Sequence, residues 1–272
     1  MIGDAELHAA ARRVRERVLT MVYESGSGHV GAALSQTDLL VTLYGRTLRV
    51  DPTRPDWPER DRFVLSKGHG GLGLVAVLAE HGFLRDDDLA TFGKPGSSLG
   101  MHLDRRKVPG VEVSTGSLGH GLGVAMGMAL GAKHQGQGSR TFCLLSDGEC
   151  YEGSTWEAAT SAPAFGLGHL VAMIDRNCLT MDGPTEREVP LEPLAEKWRA
   201  FGWRVFECDG HDFGALCEAL DGATSESDRP AVIIAKTIKG KGVPFMENQA
   251  CWHYGALDSA RYEEALAAVR RA

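Results

Sequence analysis

A chain of 272 residues is long enough to bury a sizeable core and lies within the range of one α/β domain. Its 29 basic and 36 acidic residues leave a net charge of −7 with no basic run, which argues against nucleic-acid and anionic-membrane partners. Six scattered cysteines form no C-x-x-C pair, so neither a disulfide framework nor a zinc knuckle is signalled, and no uninterrupted apolar stretch could span a bilayer.

Leu7, Ala10, Val14, Val18 and Val22 recur at helical spacing and predict a helix over 5–25. Arg12, Arg13, Arg15 and Arg17 interrupt any apolar core there, so the segment does not read as a signal peptide and a cytoplasmic location is expected. Further helices are predicted over 36–47, 72–81, 118–135, 154–165, 191–201, 212–224 and 259–271, and strands near 62–65, 141–145, 169–174, 203–207 and 231–236. Strands separated by helices point to an α/β fold, an open and mostly parallel sheet with helices on both faces. The Gly and His residues fall in the loops 26–31, 66–71, 93–117 and 237–255, and the last two are long for structureless connections, as functional loops are. No linker, repeat or low-complexity tract divides the chain, so 1–272 reads as a single domain.

The helix over 118–135 carries Gly119, Gly123, Gly127 and Gly131 on one face. Each glycine costs roughly 1 kcal/mol relative to alanine in a helix interior. The stripe therefore predicts a close approach, by another helix of the chain, by a second copy, or by a cofactor at the helix start. Its length and Lys133-His134 exclude a membrane helix.

The most informative block runs from Asp147 to Asn177. Asp147-Gly148-Glu149 follows the apolar run Thr141–Leu145, and Asn177 follows the run Leu170–Ile174, 177 − 147 = 30 positions further on. Adjacent strand C-termini in a parallel sheet converge on one crevice. A carboxylate and an amide oxygen there suit Mg²⁺, which takes hard oxygen ligands and completes its shell with phosphate oxygens. The block reads as a site for a metal-bridged diphosphate. Ca²⁺ and Mn²⁺ remain open alternatives, since the donors are all hard oxygens.

Asp-Gly, about thirty residues, then Asn resembles the diphosphate-binding motif of thiamine-diphosphate enzymes. Other segments, in order, resemble the N-terminal subunit of a split, two-chain transketolase: Ser27–Gly31, Leu65–His69, Pro109–Gly119, Glu152–Ala158, Met181–Thr185 and Lys236–Val243. This resemblance implies the diphosphate-binding domain, with thiamine diphosphate and a divalent metal. It also implies transfer of a two-carbon ketol unit from a ketose phosphate to an aldose. The chain is too short for the pyrimidine-binding domain, which carries the cofactor-activating glutamate, so a separate C-terminal subunit is expected in an α₂β₂ heterotetramer. The alternatives are the corresponding subunit of a 1-deoxyxylulose-5-phosphate synthase-like ligase and a non-catalytic, cofactor- or partner-binding homologue.

Carried onto this chain, the resemblance makes Asp147, Asn177 and the backbone carbonyl of Leu179 the metal ligands. Gly148 and Glu149 join the cofactor-binding set, and Gly116, Ser117 and Leu118 meet the aminopyrimidine. His29, His69 and His253 line the cofactor and substrate channel, and His102 contacts the donor's C1 hydroxyl. Imidazoles suit that work, since they hydrogen-bond sugar hydroxyls and relay protons near neutral pH. Glu152 corresponds to an interface acid linked to the activating glutamate. Its other reading is a helix-start carboxylate. His120 stands where the family usually has Gln. Lys236, Lys239 and Lys241 either steer an anionic ligand or form a solvated basic loop. The departures are Ser146 in place of Gly, Met101 and Leu103 in place of Gly and Pro around His102, and Tyr254 inserted after Trp252-His253.

Overall fold

The structure, a computed structural model, describes residues 3–271. Helix α1 (Asp4–Ser25) buries the Leu7, Ala10, Val14, Val18, Val22 stripe and ends at Gly26, whose φ of 72° lies in the left-handed region. Helices α2 (Val30–Ser35) and α3 (Thr37–Thr42) follow, and α3 runs into a wider π turn over Leu43–Thr47. The helix expected over 36–47 is thus present as α3 and its π turn, and α2 before it is a further short helix that the sequence pattern did not predict. Helices α2 and α3 divide at Gln36, whose side-chain amide donates to the Gly70 carbonyl at 2.7 Å. Gln36 itself stands at φ −83° and ψ −5°, far enough from the ideal helical ψ to divide the two helices.

The remaining elements are β1 (Arg62–Leu65), α4 (Gly71–Glu80), α5 (Asp86–Leu89), α6 (Gly121–His134), β2 (Thr141–Ser146), α7 (Gly153–Ala164), β3 (Leu170–Arg176) and α8 (Thr185–Glu188). After them come α9 (Leu194–Ala200), β4 (Arg204–Asp209), α10 (Phe213–Ala223), β5 (Ala231–Lys236) and α11 (Ser259–Arg271). All eight helical regions and all five strands expected from the sequence are present, with shifted bounds. The four-residue helices α5 and α8 lie inside loops and carry too little pattern to be foreseen.

The strands form one parallel sheet in the order β1-β2-β3-β5-β4. Successive side chains of a strand point to opposite faces, and both faces are buried here. Phe142, Leu144, Val171, Met173 and Ile233 enter the core shared with α1, α3, α4 and α10. Cys143, Leu145, Ala172, Ile174 and Val232 enter a second core with α6, α7 and α9. The register sets Ser146 beside Asp175 and Arg176 beside Lys236, which aligns the C-terminal ends of β2, β3 and β5.

Helix α6 begins three residues later than the predicted start at 118, because Gly119 takes φ 82° in a turn. Leu122, Ala125 and Ala129 pack on the sheet, and Gly123, Gly127 and Gly131 of the glycine stripe face outward. A Cβ at Gly123, Gly127 or Gly131 would meet nothing within 4 Å, so no helix among the described residues packs on these three. The close approach expected of the stripe is met at Gly119, where a Cβ would fall 2.5 Å from Glu152 Cβ and Ser154 Oγ at the start of α7, and a second one is made off the stripe by Gly121, whose missing Cβ admits Ser66. Among the described residues no helix is long and apolar enough to cross a membrane.

Candidate cofactor site

Four strand ends open onto a cavity of about 510 Å³. At its floor Asp147 is 1% exposed and Asn177 4%. Asp147 Oδ1 accepts from the Gly148 N–H at 2.7 Å, and Oδ2 accepts from the Cys178 N–H at 2.6 Å and from Arg176 at 3.2 Å. Burial, followed by the charge of Asp175, pushes the Asp147 carboxyl up. Asn177 Oδ1 accepts from the Leu179 N–H at 3.1 Å, and the Leu179 carbonyl accepts from the Lys239 ammonium at 2.9 Å. Each of Asp147 Oδ1, Asn177 Oδ1 and Leu179 O has two lone pairs and one partner, so one acceptor direction remains on each. This donor set fits a hard dication that also binds phosphate oxygens.

Lys239 separates itself from the other two basic residues of its loop. It is 2% exposed and enters the cavity, whereas Lys236 is exposed and Lys241 half-buried. Burial lowers its pKa to about 8 against the opposing pull of Asp147 and Asp175. Its ammonium also reaches the Thr180 carbonyl at 3.2 Å and His253 Nδ1 at 3.1 Å.

The histidines come together from four separate loops. Ring centroids lie 5.2 Å apart for His29–His69, 5.4 Å for His69–His253, 5.5 Å for His29–His253 and 6.4 Å for His29–His102. Burial, helped by neighbouring positive charge, lowers His29 and His253 to about 4 and His69 to about 2. These three rings are therefore neutral at pH 7 and able both to donate and to accept. His29 Nδ1 is buried without a hydrogen-bond partner, an acceptor or donor held for something that enters the cavity. Among the described residues no group of three or more His, Cys, Asp or Glu side chains is placed to hold a metal ion. The inserted Tyr254 packs its ring 4.8 Å from His29 and stays half-exposed.

Gly116, Leu118 and Gly148 line the cavity, while Ser117, Glu149, Glu152 and His120 do not. Glu149 is fully buried beneath it, accepting from Ser66 Oγ and from the Gly119 N–H at 2.8 Å, and burial raises its pKa. It ties the β1 and β2 loops to the start of α6. Glu152 is exposed beside Gly119, and His120 is exposed with its ring on the Leu118 carbonyl at 3.1 Å. The Ser146 hydroxyl accepts from the Glu149 N–H at 3.1 Å, so this departure from glycine caps the turn that follows.

Sequence reasoning assigned no role to Asp175, Lys67, Ser35 or Thr237. Asp175 is fully buried at the end of β3, paired with Lys67 and bound by the hydroxyls of Ser35 (2.5 Å) and Thr237. Burial would raise its pKa, but the Lys67 charge and the hydrogen bonds from Lys67, Ser35 and Thr237 together hold it below the usual carboxylate range. The only sequence signal is that Asp175, followed by Arg176, ends a strand whose preceding residues are all apolar.

Comparison with known proteins supplies the family to which this geometry belongs. The family described as transketolase, thiamine diphosphate binding domain, matches residues 7–270. The chain belongs to this family. It is 41% identical over 266 residues to a 6-deoxy-6-sulfo-D-fructose transketolase subunit of Clostridium sp., covering 98% of this chain and 97% of that protein. It is 40% identical over 263 residues to an apulose-4-phosphate transketolase subunit of Phocaeicola vulgatus, covering 97% of this chain and 93% of that one. The crystal structure of transketolase from Campylobacter jejuni superposes with a TM-score of 0.94 at 30% identity, over 99% of this chain and 43% of that one. The chain thus has the length of the subunit relatives and spans under half the length of that transketolase chain.

Proposed function

We propose that the chain is the diphosphate-binding half of a two-chain transketolase, completed by a C-terminal subunit that carries the pyrimidine-binding domain, two copies of each forming the assembly. The observation that carries this reading is the convergence of Asp147, Asn177 and the Leu179 carbonyl in one cavity beneath His29, His69, His102 and His253. Asp147, Asn177 and Leu179 O would hold Mg²⁺, and the Lys239 ammonium would meet the diphosphate. Gly116 and Leu118 would meet the aminopyrimidine. When bound, thiamine diphosphate supplies a nucleophilic carbon for cleaving and forming the carbon–carbon bonds of sugars.

The residues of this chain then bind and orient. The neutral imidazoles of His29, His69 and His253 hydrogen-bond substrate hydroxyls and hold or pass their protons. His102, at the mouth, would contact the donor's terminal hydroxyl. Glu152, exposed beside the α6 turn, would face the second subunit. The subunit lengths of its relatives support a partner chain for this protein.

The test is ketol transfer by this chain with a candidate partner, thiamine diphosphate and Mg²⁺, from xylulose 5-phosphate to ribose 5-phosphate. The donors 6-deoxy-6-sulfofructose and apulose 4-phosphate, named for the relatives, form a second panel. Activity is expected only with both chains and is lost in Asp147→Ala. Absence of cofactor binding by the assembled wild-type protein would overturn the reading.

A further inference from the structure

We infer that His211, backed by Asp38 and Arg15, is a positioning residue for Lys239 and so for the diphosphate end of the cavity; this rests on the cofactor reading above. His211 follows the edge strand β4 and does not line the cavity. Its Nε2 accepts from the Ile238 N–H at 2.8 Å, which places the ring proton on Nδ1, 2.7 Å from Asp38 Oδ2. Asp38 is buried and receives both arms of the Arg15 guanidinium at 2.9 and 2.7 Å. Arg15 Nε also reaches the Lys241 carbonyl at 3.3 Å.

The cluster therefore grips the loop after β5 on both sides of Lys239. Ile238 is held at the residue before it and Lys241 two residues after. Nearby, the Gly210 N–H donates to the Lys236 carbonyl at 2.7 Å, and a Cβ on Gly210 would fall 2.6 Å from the Thr237 methyl, so the two loops lie in direct contact. On the other side the stem of Lys239 runs across Gly31, where a Cβ would come within 3.0 Å of Lys239 Cγ. A stem confined in this way converts a shift of the Ile238 backbone into a displacement of the ammonium from Leu179 O and His253.

Two substitutions separate the two bonds of His211. In His211→Asn the amide nitrogen takes the place of Nδ1 and keeps Asp38, but the Ile238 N–H loses its acceptor. In His211→Gln the amide oxygen takes the place of Nε2 and keeps Ile238, but the bond to Asp38 is lost. Two readouts are needed: amide hydrogen exchange over 237–242 in the free chain, and the Kd for thiamine diphosphate with Mg²⁺ in the assembled enzyme. His211→Asn is expected to speed loop exchange and raise the Kd about tenfold, the scale typical of residues that orient a ligand-binding group. The loss should lie in the Kd and not in kcat at saturating cofactor, while His211→Gln stays near wild type in both readouts even if its Tm falls as far. Equal losses in the two variants, or none in Asn, would overturn the inference. If the assembled wild type binds no cofactor, the functional reading fails, and the exchange comparison still decides whether His211 positions the loop.

Discussion

Breaking the Lys67–Asp175 pair should cost this chain a large share of its stability. Both side chains have 0% exposure, so no water can replace a lost partner. In Lys67→Met the Asp175 carboxylate keeps only the hydroxyls of Ser35 and Thr237, which donate hydrogen bonds and bring no charge. Removing one member of a buried ion pair typically costs about 3–5 kcal/mol. A domain's whole stability is about 5–15 kcal/mol, so the variant should still fold yet be visibly weakened. For a chain of this size the loss corresponds to a fall in Tm of roughly 10 °C. Asp175→Asn should be similarly harmful, because it strands the ammonium.

The double variant Lys67→Met/Asp175→Asn removes both charges and leaves an amide for the two hydroxyls. It should be no less stable than either single variant, with a coupling energy of about 2 kcal/mol or more. Urea unfolding of the four proteins measures the cycle. If the double variant loses the sum of the single losses, or if Lys67→Met loses under about 1 kcal/mol, the pair is not the tightly coupled buried charge described here.

The open face of α6 and the acid behaviour of Asp38 give two further tests. A Cβ at Gly127 meets nothing within 4 Å, so Gly127→Ala should raise the stability of the free chain by about 1 kcal/mol in urea unfolding. If the same change weakens the assembly, the stripe serves a neighbouring molecule; a destabilised free chain would contradict the outward orientation. Asp38 sits among Arg15 and His211; burial would raise its pKa, but these partners hold it at about 2, below its ordinary value of 3.8. A depressed folded-state pKa contributes stability above the unfolded value that is lost as pH falls, here through the window from about 4 to 2. The shift is worth about 2 kcal/mol. The stability gap between wild type and Asp38→Asn should therefore narrow over that window, and a pH-independent gap would refute the assignment.

Much of the fold and of the candidate site could be read from local pattern. Period-3.6 and apolar-run signals marked every long helix and every strand, because both faces of the sheet had to be covered. Asp147 and Asn177 were legible because each directly follows a buried strand, and a parallel sheet brings such positions together. His29 and His69 were legible as glycine-flanked loop residues, and His102 and His253 through the family resemblance of their loops. Lys239 was not distinguishable from Lys236 and Lys241, since burial of one lysine in three depends on which way a loop turns.

Local pattern therefore set the elements, their parallel arrangement and the chemistry carried at the strand ends. Which of those groups face one another was decided in three dimensions. Asp175 meets Lys67, Ser35 and Thr237 across 108, 140 and 62 positions of chain, and Asp38 meets His211 across 173. Periodicity reports only which face of an element is apolar. Partners this distant are chosen by strand order and register, through the cost of leaving a buried charge unpaired.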